Sequence, residues 1–333
     1  MIKSNFWKKL GVLTVLTAVV VTGCGKNTPE GNKKSGGDTK WPQKNVTVTV
    51  SYKPGGDTDT YARLMSKKLS EKFKQNFVVV NLTGGSGIVA AKTIMAAKPD
   101  GYNILFNHTG SSLVQEATGL TKDFSYTDNF DNVATIAQDN SYVVVVKKES
   151  GWKNLKDFIA YSKANPGKVR YSQSYGGATY YVGSMLEEKM GIKLNRLDVG
   201  SGNSERLAAF MGNQVDSMVA NYLNVKDYVE KGDFVVLGVC AAKRSPGMEK
   251  IPTFKEQGYD IVCTKNYEIK LPKGTNKAII EKLSKAIEEI SKDPDFKAVL
   301  AKYYAEPYFR NVETMNKEDK AEVEVLKKVF VAK

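Results

Sequence analysis

The run Val48-Thr-Val-Ser-Tyr-Lys-Pro alternates like a strand, stops at Gly55-Gly56, and passes into helical spacing at Ala62, Leu64, Met65 and Leu69. A strand that turns sharply into a helix is a step of an alternating α/β pattern. It is also a candidate anion site, because glycines permit the tight turn and the first helical amides face it without carbonyl partners. A nucleotide-binding P-loop would end in Gly-Lys-Ser/Thr, whereas Asp57 and Asp59 follow here. Asp59 reads as the cap of a helix that continues to Lys74. A plain strand-to-helix turn is the competing reading, and this segment alone does not separate the two.

The alternation continues. Val46–Ser51, Phe77–Asn81 and Asn103–Asn107 read as strands, with helices over 60–74 and 88–97, which argues for an α/β sandwich with a largely parallel sheet. The β-rich stretch Val133–Lys147 is too long for one ordinary strand and is expected to cross into a second lobe. There the pattern restarts, with helices over 155–165, 179–190 and 204–211 and strands over 169–172, 195–199 and 215–220. Phe234–Ala242 is the expected return crossing. The C-terminal part is helical; Ile279, Ile280, Leu283, Ile287 and Ile290 form one stripe expected to pack on the first lobe. The expected organisation is a first α/β lobe over 41–140 plus 239–333 and a second over 141–238, with a cleft between them.

The ends and the composition narrow the function. Lys3, Lys8 and Lys9 precede a short apolar run, Leu10–Val21, that ends in Thr-Gly-Cys24. That is an export signal over residues 1–23, too short to span a bilayer comfortably, and it resembles a bacterial lipoprotein leader with Cys24 as the lipidated residue. Residues 25–40 lack aliphatic and aromatic side chains and read as a flexible tether from a membrane anchor. The formal charge of +13 falls to +8 once the seven lysines and two acids of leader and tether are set aside. Export and the absence of basic blocks interleaved with aromatics argue against nucleic acid; a lysine-rich surface still favours approach of small anions. Cys240 and Cys263 leave open a disulfide or, more commonly, two buried thiols. One histidine, His108, and no Cys/His cluster leave no His-rich metal site, and no cofactor motif is present.

From Trp41 onward the chain resembles the substrate-binding proteins of tripartite tricarboxylate transporters, the Bug receptors. The resemblance rests on ordered pieces: Trp41-Pro-Gln-Lys-Asn-Val-Thr, Gly55-Gly-Asp-Thr-Asp59 with Tyr61-Ala-Arg63, Asn81-Leu-Thr-Gly-Gly-Ser-Gly87 and Lys98-Pro-Asp-Gly-Tyr-Asn-Ile-Leu105. Later come Tyr171-Ser-Gln-Ser, Gly212-Asn-Gln-Val-Asp216, Ala242-Lys-Arg-Ser245, Ile251-Pro-Thr-Phe254 and Leu271-Pro-Lys-Gly-Thr275. It implies a two-lobed, type II periplasmic-binding-protein-like flytrap with two crossing hinge strands. Such a protein, expected to be a monomer, would hold a small organic acid, a di- or tricarboxylate or related compound, and deliver it to a membrane permease. The resemblance nominates Gly55, Gly56, Gly84 and Gly85 as the carboxylate clamp, with Asp57 and Thr58 beside it. Glycine loops suit a carboxylate because their amides can converge without side-chain obstruction. Thr109, Ser111 and Ser112 could offer hydroxyls, and His108 is either a pH-sensitive wall residue or a satisfied polar one. Ser174, Tyr175, Gly177 and Thr179 are the candidates for the distal end of the ligand, with Asn203 or Ser204 reaching the cleft or capping a helix. The chain has Ala220-Asn221 where family members often carry an acid, so Asn221 joins the candidates. If that acid greets an amine, its absence favours a ligand without an amino group.

Two rivals belong to other classes. An enzyme would need a nucleophile beside His108 or a Gly-x-Ser-x-Gly elbow, and neither is evident. A receptor that senses its ligand without transport is not distinguished by sequence.

Overall fold

The computed structural model describes residues 40–200 and 202–331. The expected leader, Cys24 and the tether up to Thr39 lie outside them. The chain opens β1 (Val46–Val50), α1 (Asp57–Phe73), β2 (Phe77–Asn81), α2 (Ile88–Met95), β3 (Asn103–His108), α3 (Thr109–Ala117) and β4 (Phe130–Asp139). It crosses at Asn140-Ser141 into β5 (Tyr142–Lys147), α4 (Leu155–Ala164), β6 (Arg170–Gln173), α5 (Ala178–Met190) and β7 (Asn195–Asp198). There follow α6 (Asn203–Met211), β8 (Ser217–Asn221), α7 (Lys226–Glu230) and β9 (Phe234–Val239). The return brings β10 (Lys265–Pro272), α8 (Lys277–Ser291), α9 (Pro294–Lys302), β11 (Ala305–Arg310) and α10 (Val312–Val331).

Two sheets result, in the orders β11-β4-β10-β3-β1-β2 and β7-β6-β8-β5-β9. Each is parallel on one side and antiparallel on the other, rather than largely parallel: β1 runs parallel to β2 and β3, while β10 lies antiparallel to β3 and β4. Two-layer packing explains the stability of each lobe. Tyr61, Ala62, Met65 and Leu69 of α1 and Leu283, Ala286 and Ile287 of α8 share one core with Val46, Val48 and Val50 of β1. Fully burying a leucine-sized side chain of this kind stabilises by about 2 kcal/mol.

The first crossing falls inside the run expected to hold it. The return does not fall at Phe234–Ala242. Residues 240–263 stay with the second lobe, where Cys240, Phe254, Ile261 and Cys263 join its core, and the chain crosses at Thr264. Thr264 Oγ1 donates to Asn140 Oδ1 at 2.7 Å, which ties the two crossings side by side. The two cysteines are free and buried. The last helix also differs from expectation, since it packs on both lobes. Val323 and Leu326 meet Leu113 and Val114 of α3, while Phe330 stacks on Tyr180 of α5 with centroids 5.5 Å apart.

Strand β10 is buried throughout although it reads Lys-Asn-Tyr-Glu-Ile-Lys-Leu-Pro. Its charges are held by partners: Glu268 accepts from Ser112 Oγ at 2.9 Å, and Lys270 Nζ lies 3.4 Å from Glu268 and 3.6 Å from Asp319 of α10. Burial outweighs the Lys270 charge and pushes the Glu268 carboxyl up to about 7. Between about pH 4.5 and 7 the folded state therefore holds a proton that the unfolded state has lost, so stability falls as pH rises through this window. Glu268→Gln is expected to remove a slope on the order of 1 kcal/mol per pH unit, read from urea unfolding of both proteins at a series of pH values.

Candidate functional site

Parallel strands that feed helices put their carboxyl ends and the helix N-termini on the same edge, and ligands of open α/β folds bind there. Here both lobes turn that edge toward the cleft. α1 starts after Gly56, α3 after His108, α5 after Gly177 and α6 after Gly202, and residues of all four starts line one connected site. The larger part is a cavity of about 290 Å³ whose walls include Gly55, Gly56, Asp57, Thr58, Tyr142 and Asn203. A narrow recess of about 20 Å³ continues it, lined by Ser86, Ser111, Ser174, Gly177, Ala178 and Thr179. Tyr52, His108, Tyr142 and Arg206 border both.

Most of the expected residues meet at this site. Gly55, Gly56, Asp57, Thr58 and Asn203 wall the cavity; Ser111, Ser174, Gly177 and Thr179 wall the recess; His108 walls both. Six others do not line either space, among them Ser112, whose Oγ donates to Glu268. Gly84 and Gly85 form the turn behind the wall, and their loop reaches the cleft through Ser86 instead. The turn needs glycine: Gly84 has φ +136°, and a Cβ there would sit 2.6 Å from Val89 Cγ2. Thr109 Oγ1 is occupied in accepting the Asn266 amide, Tyr175 turns its ring to solvent, and Asn221 supports Asn203 from behind. Asp59 is not the N-cap of α1, which begins two residues earlier. It reaches back from the first turn to accept the Gly55 amide at 3.0 Å and also binds Arg63 and Asn81.

Sequence reasoning missed Tyr52, Ser86, Tyr142, Arg206 and Lys265. Tyr52 stacks on the His108 ring with centroids 5.0 Å apart and hydrogen-bonds Ser111 Oγ. Lys265, the first residue of β10, is fully buried and holds two carboxylates, Asp57 at 2.6 Å and Asp139 at 2.8 Å. Tyr267 donates to the same Asp57 oxygen at 2.7 Å, and the Lys265 ammonium lies 4.1 Å above the Tyr142 ring. From the second lobe, Arg206 donates to Asn203 Oδ1 at 2.7 Å, Asn203 donates to Asn221 Oδ1 at 2.7 Å, and Asn221 donates to Asp139. A continuous chain of hydrogen bonds thus runs from one face of the cleft, through the hinge, to the ligand loop on the other. No signal in the local sequence announces it, because positions 57, 139, 206 and 265 meet only in the folded chain.

Burial opposes charge on His108, and the neighbouring Lys265 ammonium adds to this, so the imidazole pKa is pushed down to about 3. The ring is a neutral wall residue near pH 7, and its Nδ1 has no hydrogen-bond partner among the described residues. Among the described residues no group of His, Cys, Asp and Glu is gathered that could hold a metal.

The lobes are closed on each other. Ser86 Oγ lies 2.7 Å from Ser174 Oγ and donates to the Tyr175 carbonyl at 3.2 Å, and Lys53 pairs with Glu205 across the rim. Gly110 permits the approach, since a Cβ there would stand 3.0 Å from that of Ala178. The rim pair is half exposed, so Lys53→Ala is expected to weaken retention of a bound acid only about 2- to 5-fold. Calorimetry at low and high salt checks this, and the difference should vanish at high salt.

The fold is matched in known proteins. Residues 61–331 match the tripartite tricarboxylate transporter family receptor. The chain belongs to that family. The receptor is 31% identical over 279 residues, 82% of each chain, to the UPF0065 protein in the gbd 5′ region of Cupriavidus necator. It is 26% identical over 254 residues, 75% of this chain and 77% of the other, to Protein BugT of Bordetella pertussis. In three dimensions the receptor is similar to Rpa4515 of R. palustris, solved with adipate, at TM-score 0.80 and 25% identity over 87% of this chain and 97% of the other. It is also similar to the periplasmic binding protein BugD, at TM-score 0.79 and 25% identity over 88% and 98%. MatC from Rhodopseudomonas palustris, solved with malate, has the same fold at TM-score 0.79 and 23% identity, covering 87% of this chain and 100% of the other. These neighbours bear out the two-lobed type II fold.

Proposed function

We propose that this receptor captures a small organic carboxylate between its lobes and delivers it to the membrane permease of a tripartite tricarboxylate-type transporter. One observation carries the reading: the starts of α3 and α5, which have no acid in their first turns, meet the buried Arg206 guanidinium at one site between the lobes, an arrangement suited to an anion. Relatives solved with adipate and malate support a carboxylate as the class of ligand. In the proposed mechanism the acid settles on the loops of one lobe, and the lobes close about the crossings at Asn140-Ser141 and Thr264. The Ser86–Ser174 and Lys53–Glu205 contacts then hold the closed form, which the permease reads. The protein works outside the cytoplasm in this reading, as a monomer anchored to the outer face of the membrane through a lipidated Cys24.

Protein freed of ligand by unfolding and refolding is tested in a thermal-shift screen of organic acids. Several degrees of stabilisation by at least one acid, and not by matched alcohols, is the expected result. Absence of any shift across the screen removes the capture function. Loss of uptake of the same acid on deletion of the gene tests delivery, and metabolic labelling of a Cys24→Ala variant tests the anchor.

A further inference from the structure

The lobes are joined at a third place besides the two crossings. Asp319, Val323, Leu326 and Phe330 follow one another along α10 at spacings of four, three and four residues, so they share one face of that helix. The first half of the helix is fixed to the first lobe: Asp319 is fully buried and lies 2.9 Å from Arg310 and 3.6 Å from Lys270, Asn132 donates to Asn316 Oδ1 at 2.9 Å, and Met315 is fully buried. Its end lies on the second lobe. Val329 packs against that lobe's core, and Phe330 stacks on Tyr180 with ring planes 15° apart and meets Tyr181 edge-on at 6.3 Å. Tyr180 in turn meets Tyr175 edge-on at 4.8 Å and carries the Arg196 guanidinium 4.3 Å above its ring. Tyr175 belongs to the loop that touches the first lobe: its carbonyl accepts from Ser86 Oγ, and the neighbouring Gly176 lies so near Leu120 that a Cβ there would stand 2.3 Å from Leu120 Cδ1. A row of rings therefore runs from the end of α10 to the loop on which the lobes meet.

Parting Asp319 from Arg310 and Lys270 would strand buried charges, so α10 moves with the first lobe. The contacts at its end are of another kind. Tyr175 is exposed, and Tyr180, Val329 and Phe330 are only half-buried, so these side chains can part and water can take their place. Resting on the lobe-closure step of the reading above, we propose that the end of α10 is a latch for the closed receptor. Phe330, carried by a helix fixed to the first lobe, grips Tyr180 of the second and, through Tyr175, holds the loop 174–177 against Ser86. Phe330 is a positioning residue, for it lines neither part of the site. An aromatic pair of this kind shifts an equilibrium about 2- to 10-fold, which biases the hinge toward closure and leaves the lobes free to reopen and release their load.

Amide hydrogen exchange of the full-length protein, refolded without ligand and read by mass spectrometry, tests the latch. In Phe330→Ala, segments 174–181 and 82–88 are expected to exchange about 3- to 10-fold faster than in the native protein, while β8 in the second lobe and residues 315–322 of α10 keep their native rates. The segment 82–88 decides, since it belongs to the first lobe and meets Tyr175 through Ser86. A general loss of stability would quicken β8 as well. Exchange of 82–88 within about 2-fold of the native rate, or an equal acceleration of β8, overturns the latch. Phe330→Leu, which stays apolar but loses the ring stack, is expected to quicken the same two segments by a smaller factor, and it decides the matter should Phe330→Ala not fold. Neither result bears on the capture function, which the thermal-shift screen decides separately.

Discussion

Replacing Lys265 by methionine is expected to lower the thermal midpoint by roughly 10 °C, the cost of leaving two buried carboxylates without their cation. Methionine keeps most of the volume, so the loss is electrostatic and not a cavity. Burial alone would raise the Asp57 carboxyl, and the Lys265 charge overcomes this and holds it well below the usual carboxylate range. A depressed carboxyl contributes stability that is present above its unfolded value, near pH 4, and lost as pH falls through the folded value. The deficit of the variant should accordingly be largest near neutral pH and shrink toward pH 4, where the orphaned carboxylates take up protons. Scanning calorimetry of both proteins from acid to neutral pH measures this. A change below about 2 °C at pH 7 would remove Lys265 as the tie between the hinge and the ligand loop. The double variant with Asp57→Asn should recover part of the loss, since it removes one of the two stranded charges.

Arg206→Met is expected to weaken acid binding about 100-fold or more, far beyond the effect of removing Lys53 at the rim. Arg206 is 3% exposed and borders both parts of the site, so a ligand charge that pairs with it does so away from water. Asn203→Ala separates two contributions, because it withdraws the side chain that holds the guanidinium while leaving the charge in place. That variant should lose about 10-fold. Calorimetric titration with the acid found in the thermal-shift screen provides the test; a loss below about 10-fold in Arg206→Met places the guanidinium outside the binding contacts.

The two predictions concern the residues that were hardest to read from the chain. Loops after strands are legible because glycine spacing and the switch from alternating to helical periodicity are local, and the family resemblance then nominated Gly55–Thr58 and Ser174–Thr179 among them. Lys265 could not be found this way. Its strand interleaves Lys265, Asn266, Glu268 and Lys270 with Tyr267, Ile269 and Leu271, so charged and polar residues stand where a strand buried on both faces would ordinarily show aliphatic ones. Arg206 lay inside a segment whose apolar residues, Leu207, Ala209 and Phe210, announced only an amphipathic helix. Gly84 and Gly85 show the converse case: their turn was evident, yet which of its residues would face the cleft depends on the direction the turn takes, and Ser86 is the one that arrives there.

By itself the sequence determined the alternation of strands and helices, a first crossing within Val133–Lys147, and the glycine turns that open α1, α5 and α6 toward a cleft. Those features follow from backbone stereochemistry and from the period with which apolar side chains recur. Only the tertiary structure decided where the chain returns, which side chains wall the site, and how its charge is distributed. A buried charge is tolerated when partners from distant segments meet it, and that condition has no local pattern. Asp57, Asp139 and Lys265 illustrate it: each looks like an ordinary surface charge until the fold closes them into one group.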